Sequence, residues 1–289
     1  LESLNKPLLH TYTYASEERN NYLSYLIENT PDYFEKAFLL SAGTEATEAA
    51  LKLMRLNAIK NNKRKPGIIC FEGNWHGRTM GAQLMSSNES QKAWIGYRDP
   101  NIHHLPFPYP WDEEATNNPK EFFRNSLDEL ISNQALDPEE DICGFMLETF
   151  QGWGALFYPE EFIQEIKNYC NEIGALLTFD EMQSGFGRTG KLFGYMHYRV
   201  EPDLICCGKG TTSSLPLSIV LGSSEVMDLA EVGSMSSTHS ANPLCCAAGL
   251  ANLKEIIERD LVNHSNQLGL IFHKKLSEIN EKFSDHISS

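Results

Sequence analysis

The segment from residue 142 to residue 180 alternates strand, helix and strand, and this alternation constrains the fold more than any other feature. The first strand, residues 142–150 (ICGFMLETF), and the second, residues 175–179 (ALLTF), are almost continuously apolar. Between them, residues 159–173 begin with a proline and two glutamates, which favour a helix N-terminus. Apolar strands joined through a helix predict an α/β fold, with a mostly parallel sheet covered by helices on both faces.

Other periodic segments extend this pattern along the chain. Short apolar runs predict further buried strands at residues 38–40, 67–71, 204–207 and 217–221. Helical spacing predicts helices at residues 16–29, 45–59, 120–133 and 242–259, with an amphipathic helical segment after them. The residues from about 96 to 140 are rich in proline and polar side chains, so we expect a long surface excursion that includes that third helix.

Charge and cysteine content limit the classes of partner. The formal net charge is −15, so a nucleic acid or an anionic membrane surface would be repelled at long range. No run of about 18 apolar residues is present, so no transmembrane helix is predicted. Seven cysteines, mostly inside apolar runs and without a CxxC pair, predict reduced core thiols in a cytoplasmic protein. His103 and His104 lack companion ligands, so we expect a surface loop there and no metal site.

One lysine lies between two glycines at the end of a predicted strand. Gly208 and Gly210 flank Lys209, and glycine there lets the backbone pass close to a bound group. A lysine that loses hydration at the end of a buried strand has a lowered pKa, and its amine becomes a nucleophile for a carbonyl. The motif therefore suggests Schiff-base chemistry, with a solvated loop lysine as the alternative.

A turn of small residues, Ser41 to Thr44, precedes the helix predicted at 45–59. Free N–H groups and the positive end of the helix dipole make such a turn an anion site. Gly43 allows close approach and Thr44 offers a hydroxyl, so a phosphate is the predicted ligand. An ordinary loop–helix junction is the alternative.

Two more candidates follow strand ends. Trp75, close to two glycines after strand 67–71, is suited to lie flat against a planar ring, although a core position is the alternative. Asp180 closes strand 175–179. Ligands of such sheets bind at the carboxyl ends of the strands, where Asp180 and Lys209 are both predicted to lie.

Together, four motifs resemble the class III aminotransferases, which are pyridoxal-phosphate (PLP) enzymes of fold type I and include the ornithine, acetylornithine and 4-aminobutyrate aminotransferases. The motifs are SAGTEATEAALK at 41–52, NWHGRT at 74–79, LLTFDEMQSGFGRTG at 176–190 and CGKG at 207–210. Their order and spacing carry the resemblance over nearly the whole chain.

The resemblance implies two catalytic residues. Lys209 corresponds to the lysine that holds PLP as an internal aldimine and then moves a proton between the substrate carbon and the cofactor. Asp180 corresponds to the carboxylate that keeps the pyridine nitrogen protonated, without which the ring is a poor electron sink.

The other residues that match the family are implied to bind the cofactor. Gly43 and Thr44 match the phosphate turn, and Trp75 occupies the position of the aromatic residue that stacks on the ring. Gln183 matches the residue that bonds the phenolic oxygen, and Glu148 matches an active-site glutamate near the cofactor.

The resemblance also implies a homodimer with shared active sites. Thr238 matches a threonine that, in relatives, reaches the cofactor phosphate from the other subunit. Arg188, in the GFGRTG stretch, is given only a structural role.

The implied function is transfer of an amino group from an amine or amino acid donor to a 2-oxo acid by a ping-pong mechanism. The same scaffold supports a decarboxylase, a racemase or an aminomutase, because the bond that breaks is the one perpendicular to the cofactor ring. A non-catalytic member is a further alternative. It predicts the loss of Lys209 or Asp180, and both are present.

The chain departs from the family pattern at residues 148–154, which read ETFQGWG. Ornithine- and aminobutyrate-type relatives carry a glutamate where this chain has Trp153, and that glutamate masks a substrate-binding arginine. Trp153 cannot form such an ion pair. A larger, flatter or less charged amine substrate is one explanation, and sequence drift is another.

The domain pattern is also incomplete. Residues 1–259 are predicted to form the PLP-binding large domain, with an N-terminal helical segment at 1–36. Residues 260–289 are predicted to begin a smaller C-terminal domain. The chain starts without a methionine or the apolar core of a signal peptide, so we expect it to be a piece of a longer protein.

Overall fold

A computed structural model of the chain describes residue 5 and residues 14–283. Its strands, in chain order, are β1 (Lys36–Leu40), β2 (Gly67–Phe71), β3 (Ile102–Leu105), β4 (Ile142–Glu148), β5 (Phe150–Gln151), β6 (Leu156–Phe157), β7 (Leu176–Asp180), β8 (Leu204–Cys207) and β9 (Ser218–Gly222).

Seven of these strands form the central sheet in the order β1-β9-β8-β7-β4-β2-β3, and β5 and β6 form a separate hairpin. Strand β9 is antiparallel to both of its neighbours, and every other pair in the sheet is parallel. Six strands therefore run in one direction. The mostly parallel sheet expected from the sequence is confirmed, and its carboxyl ends gather at one edge.

The helices of the described residues are α1 (Glu17–Glu28), α2 (Gly43–Lys60), α3 (Met80–Met85), α4 (Glu89–Lys92), α5 (Glu113–Asn117), α6 (Pro119–Gln134), α7 (Pro138–Asp141), α8 (Glu160–Ile173), α9 (Ser224–Met227), α10 (Pro243–Glu258) and α11 (Leu261–Lys282). All the helices predicted from the sequence are present, with ends shifted by one or two residues in most cases.

Helices cover both faces of the sheet, because alternate strand residues enter two different cores. On β4, Phe145 and Leu147 pack in one apolar cluster with residues of α1, α6, α8 and α10. Met146, between them, packs in a second cluster with residues of α2. Since successive strand side chains point to opposite faces, the two clusters are the two faces of one sheet. This explains why the strands are almost continuously apolar.

Helix ends follow local signals that the sequence carries. The Ser16 hydroxyl accepts a hydrogen bond from Arg19 N–H at the start of α1, and Asn242 accepts from Leu244 N–H at the start of α10. Gly174 ends α8 with a left-handed backbone, φ 65°. Such caps explain why these helices could be located from the sequence.

The surface excursion predicted for residues 96–140 is wrong in part, because it contains the edge strand β3, which pairs in parallel with β2. His103 is buried, and Nε2 of His104 lies 3.0 Å from the backbone oxygen of Met85. Burial, followed by the charge of Lys92, lowers the pKa of His104 to about 4. These two histidines therefore do not form a surface loop. Hydrophobic periodicity does not identify this strand, because it has only four residues and two of them are histidines.

All seven cysteines are buried and unpaired, as expected for reduced core thiols. Within residue 5 and residues 14–283, no helix is long and apolar enough to cross a membrane. The division into domains at residue 259 stays a prediction, and residues 1–4, 6–13 and 284–289 of those domains lie outside the described residues.

Candidate active site

A cavity of about 810 Å³ opens at the edge where the parallel strands end. Strands β2, β4, β7 and β8 and the turn after β1 all contribute to its walls. Seven of the residues predicted from the sequence line it: Gly43, Thr44, Trp75, Glu148, Asp180, Gln183 and Lys209. The parallel arrangement of the strands is the reason why residues from five separate segments meet there.

Asp180 ends β7 and is held by two hydrogen bonds. Its Oδ2 lies 2.9 Å from Nδ1 of His76, and its Oδ1 accepts from the backbone N–H of Met182 at 3.0 Å. Because an ionised carboxylate only accepts, Nδ1 of His76 carries the proton of this contact. His76 and Asp180 are both almost fully buried. The imidazole thus fixes the direction of the carboxylate at the cavity wall.

Sequence reasoning did not single out His76, although it stands next to Trp75 in the NWHGRT motif. Only its place in this motif could have marked His76 in the sequence, because its partner Asp180 is more than a hundred residues away along the chain. Its second ring nitrogen, Nε2, is buried without a hydrogen-bond partner among the described residues.

Glu148 lies beside Asp180, in register across β4 and β7. Its Oε2 accepts a hydrogen bond from the backbone N–H of Trp75 at 2.9 Å. Burial, followed by the negative charge of Asp180, raises the pKa of Glu148 to about 8. At neutral pH the Glu148 carboxyl is therefore mostly protonated.

Glu148→Gln should change how stability depends on pH. The folded wild-type protein holds the Glu148 proton up to about pH 8, whereas the unfolded chain releases it near 4.5, the ordinary pKa of a glutamate. Between these limits the wild type loses stability relative to the variant by up to about 1.4 kcal/mol per pH unit, because the folded state binds the extra proton. Below pH 4.5 the two proteins should have the same pH dependence, because Glu148 is then protonated in both the folded and the unfolded state.

Thermal unfolding of both proteins between pH 5 and pH 9 measures this difference. Glu161→Gln, which replaces an exposed glutamate on α8, is the matched control. A gap between wild type and Glu148→Gln that stays constant over the whole pH range would contradict the shifted pKa.

Lys209 follows β8 with a left-handed backbone, φ 35°, which is unfavourable for a residue with a side chain. Such strain is found most often at functional sites. The sequence predicted a lysine that has lost its hydration, and this is wrong for the structure, in which Lys209 is exposed at the cavity wall. The reason is that the residue stands two positions beyond the end of the buried strand.

Met182 packs between the two glycine turns of the site. A Cβ atom on Gly43 would lie 2.8 Å from the Met182 sulfur, and one on Gly208 would lie 2.5 Å from it. Glycine at both positions therefore brings the turn before α2 and the turn that carries Lys209 close together. Met182 lines the cavity and was not singled out from the sequence, because only the packing gives it this position.

The N-terminus of α2 is free to bind an anion. Gly43 and Thr44 are its first residues, so their N–H groups have no acceptor within the helix. The carboxylate of Glu45 accepts from the N–H groups of Ser41 and Ala42, at 2.7 and 2.9 Å. This contact stabilises the turn and leaves the N–H groups of Gly43 and Thr44 for a ligand.

Glu181, the residue after Asp180, is fully buried and accepts four hydrogen bonds. They come from the hydroxyls of Thr149 and Ser184 and from the backbone N–H groups of Gly194 and Tyr195. This network ties the loop after β7 to the end of β4. The glutamate of the DEMQ stretch therefore has a structural role.

The groups around the cavity fit a planar, phosphorylated pyridine aldehyde such as pyridoxal phosphate. The α2 N-terminus suits its phosphate, and the buried carboxylate of Asp180 suits a protonated ring nitrogen. Trp75 offers an aromatic face, and Lys209 offers an amine for the aldehyde. Gln183 is exposed, with Nε2 at 3.4 Å from the backbone oxygen of Gly152.

Two residues of the sequence motifs lie elsewhere. Thr238 is exposed in the segment before α10 and does not line the cavity. Its predicted role depends on a second subunit and stays a prediction. Arg188 lines a separate cavity between the loop after β7 and α11, where Ser265 donates to its backbone oxygen.

Comparison with known proteins places these features in context. A family model described as "Aminotransferase class-III" matches residues 2–289. A probable 4-aminobutyrate aminotransferase of Bacillus subtilis is 35% identical over 86% of this chain and 57% of its own length. An alanine/serine racemase of Pyrococcus horikoshii is 34% identical over 89% of this chain and 55% of its own length.

Solved structures show the same fold. An S-selective transaminase from Arthrobacter sp., with alanine bound, superposes with a TM-score of 0.85 at 29% identity, covering 97% of this chain and 63% of that one. The chain thus spans little more than half the length of the curated relatives and about two thirds of the solved structure.

Proposed function

Because this chain belongs to the class III aminotransferase family, whose cofactor is pyridoxal phosphate, we propose that it is the cofactor-binding part of an aminotransferase. The full protein would move an amino group from an amine or amino acid donor to a 2-oxo acid. The observation that carries this proposal is the meeting of Lys209, Asp180 and the α2 N-terminus in one cavity.

When bound, pyridoxal phosphate would supply an electron sink for the reacting donor carbon and a carrier for the amino group. Asp180, directed by His76, would hold the proton on the ring nitrogen and so keep the sink effective. Lys209 would hold the cofactor through its amine and would move the proton of the reacting donor carbon. Trp75 and Met182 line the same cavity and would contact the cofactor there.

Glu148 contributes as a neutral group. A second carboxylate charge next to Asp180 would compete for the ring proton, and the raised pKa of Glu148 removes that charge near neutral pH. Its hydrogen bond with Trp75 N–H positions the backbone that carries the stacking indole.

Racemisation is a second candidate, because one of the similar proteins is an alanine/serine racemase. Lys209 and Asp180 would serve both reactions. Transamination is preferred because similar proteins include 4-aminobutyrate, acetylornithine and ornithine aminotransferases, and the solved structure compared above is a transaminase.

We also propose a homodimer, in which Thr238 of one subunit reaches the cofactor phosphate of the other. The exposed position of Thr238, away from the cavity of its own chain, agrees with this arrangement. A cytoplasmic location is proposed from the seven unpaired thiols. The boundary at residue 259 between a large domain and the beginning of a smaller one is proposed as well.

The visible absorption of the full-length protein with pyridoxal phosphate tests the function. An amine donor added without an oxo acid should bleach the absorption of the bound cofactor, and a 2-oxo acid added afterwards should restore it. Conversion of one enantiomer of alanine to the other without any oxo acid would instead favour the racemase. Absence of both reactions for every donor, in a folded and loaded protein, would refute the catalytic proposal.

A further inference from the structure

Thr79, the last residue of the NWHGRT motif, contacts the side chain of Thr44 at the start of α2. The two Oγ1 atoms lie 2.5 Å apart, and the backbone N–H of Thr79 donates to Oγ1 of Thr44 at 3.3 Å. Thr44 lines the active-site cavity, whereas Thr79 lines a neighbouring hollow on the surface. Thr79 can therefore act on a group in the cavity only through Thr44.

The direction of these hydrogen bonds follows from Glu48. Its Oε1 accepts from the Thr79 hydroxyl at 2.6 Å and from the backbone N–H groups of Gly81 and Ala82 at 2.8 and 3.1 Å. An ionised carboxylate only accepts, so the single hydroxyl proton of Thr79 is directed to Glu48. The hydrogen bond between the two threonines is then donated by Thr44. A chain of hydroxyl donors thus runs from Thr44 through Thr79 to the carboxylate.

The turn that carries Thr79 is fixed against α2 by contacts of its earlier residues. Thr47 is fully buried, and its hydroxyl donates to the backbone oxygen of His76 at 2.8 Å. Gly77 follows with φ 139°, and a Cβ atom on it would lie 2.5 Å from Oγ1 of Thr44. Only a glycine lets the turn pass this close to that side chain. The backbone that presents Thr79 to Thr44 is therefore held in place.

Contact with Thr79 decides how the Thr44 hydroxyl is presented to a ligand. A threonine in a helix divides between two side-chain rotamers, and the contact with Thr79 selects one of them. Because the Thr79 N–H holds the Thr44 oxygen, the hydroxyl proton can turn to a ligand while the oxygen stays in place. A phosphate oxygen carries charge and is a stronger acceptor than a neutral hydroxyl. Thr44 would therefore be a prepositioned donor for a phosphate at the α2 N-terminus.

We propose that Thr79, directed by Glu48, is a positioning residue for the cofactor phosphate and acts through the hydroxyl of Thr44. This inference rests on the proposed function, which supplies the phosphate, and adds a residue outside the cavity to the site. The same turn carries His76, whose imidazole supports Asp180. One short motif would then serve both the phosphate and the ring nitrogen.

Titration of the full-length protein, freed of cofactor, with pyridoxal phosphate and with pyridoxal, which lacks the phosphate, tests this inference without turnover. Thr79→Val keeps the size and the backbone N–H and removes the hydroxyl, and Thr79 is exposed, so the fold should remain intact. The variant should bind pyridoxal phosphate about fivefold more weakly, the effect of releasing one ordered side chain, and bind pyridoxal within about twofold of wild type. Thr79→Ser keeps the hydroxyl and should restore wild-type binding.

A double-mutant cycle separates this role from a general loosening of the site. Thr44→Val should weaken pyridoxal phosphate binding at least as much as Thr79→Val does, and the double variant should bind no more weakly than Thr44→Val alone. Thr116→Val is the matched control, since Thr116 is exposed and its hydroxyl donates to the backbone oxygen of Asp112. The control should bind both ligands as the wild type does.

Unchanged or tighter binding of pyridoxal phosphate by Thr79→Val would overturn the inference, as would equal losses for the two ligands or additive losses in the double variant. If the protein binds neither aldehyde, the proposed function fails separately, and calorimetry with inorganic phosphate then decides the role of Thr79. Weaker phosphate binding by Thr79→Val than by wild type supports that role. Equal binding by the two proteins, or binding by neither, refutes it.

Discussion

Lys209→Ala is expected to abolish covalent attachment of pyridoxal phosphate and to lower transamination by at least about 10³-fold, since one amine both attaches the cofactor and transfers the proton. Among the described residues that line the cavity, no other side chain offers an amine. The change removes an exposed side chain, so the fold should remain intact.

Borohydride reduction followed by mass spectrometry measures the attachment in the full-length protein. Lys209→Arg separates the two properties of the residue, because it keeps the positive charge and loses the nucleophile. Lys191→Ala, at an exposed lysine of the preceding loop, is the control and should label as the wild type does. Persistent reduced label in Lys209→Ala would refute the assignment.

Asp180→Asn is expected to have the second largest effect, a loss of transamination on the order of 10²- to 10³-fold. The amide has nearly the same shape, but it carries no charge to hold the proton on the ring nitrogen. It can also accept at only one of the two positions where the carboxylate now accepts from His76 and Met182. The loss should therefore combine a weaker electron sink with a less well directed side chain.

Single-turnover bleaching of the cofactor absorption by an excess of donor measures this step, and a pyridoxal phosphate titration measures binding separately. His76→Phe tests the indirect contribution. It keeps the charge of Asp180 and removes its support, so it should fall between wild type and Asp180→Asn. A rate for Asp180→Asn within about tenfold of wild type would contradict a role for this carboxylate in catalysis.

The helices and central strands could be located from the sequence because each carries its own local signal. Helix α8 begins after a proline and ends at Gly174, and β4 and β7 are apolar on both faces. Strand β3 has no such signal. Its four residues include two histidines, and it forms because β2 offers a free edge with which it can pair.

The residues of the candidate site also differ in whether a local sequence signal marks them. Lys209, Asp180 and the turn at Gly43 were recognisable because glycines, strand ends and a helix start mark them along the chain. His76 and Met182 were not, since each acts on a residue of another segment. The exposure of Lys209 was also outside the reach of sequence reasoning, which took the burial of β8 to continue to the lysine.

The sequence by itself determined the α/β class, the family and the residues that are proposed to carry the chemistry, because apolar periodicity, caps and motifs are properties of neighbouring residues. Tertiary structure alone decided which of those residues meet. Burial in the folded protein, followed by the charge of Asp180 on the adjacent strand, raises the pKa of Glu148. Met182 packs between the turns at Gly43 and Gly208. Burial and charge act through space, so contacts between distant segments set them.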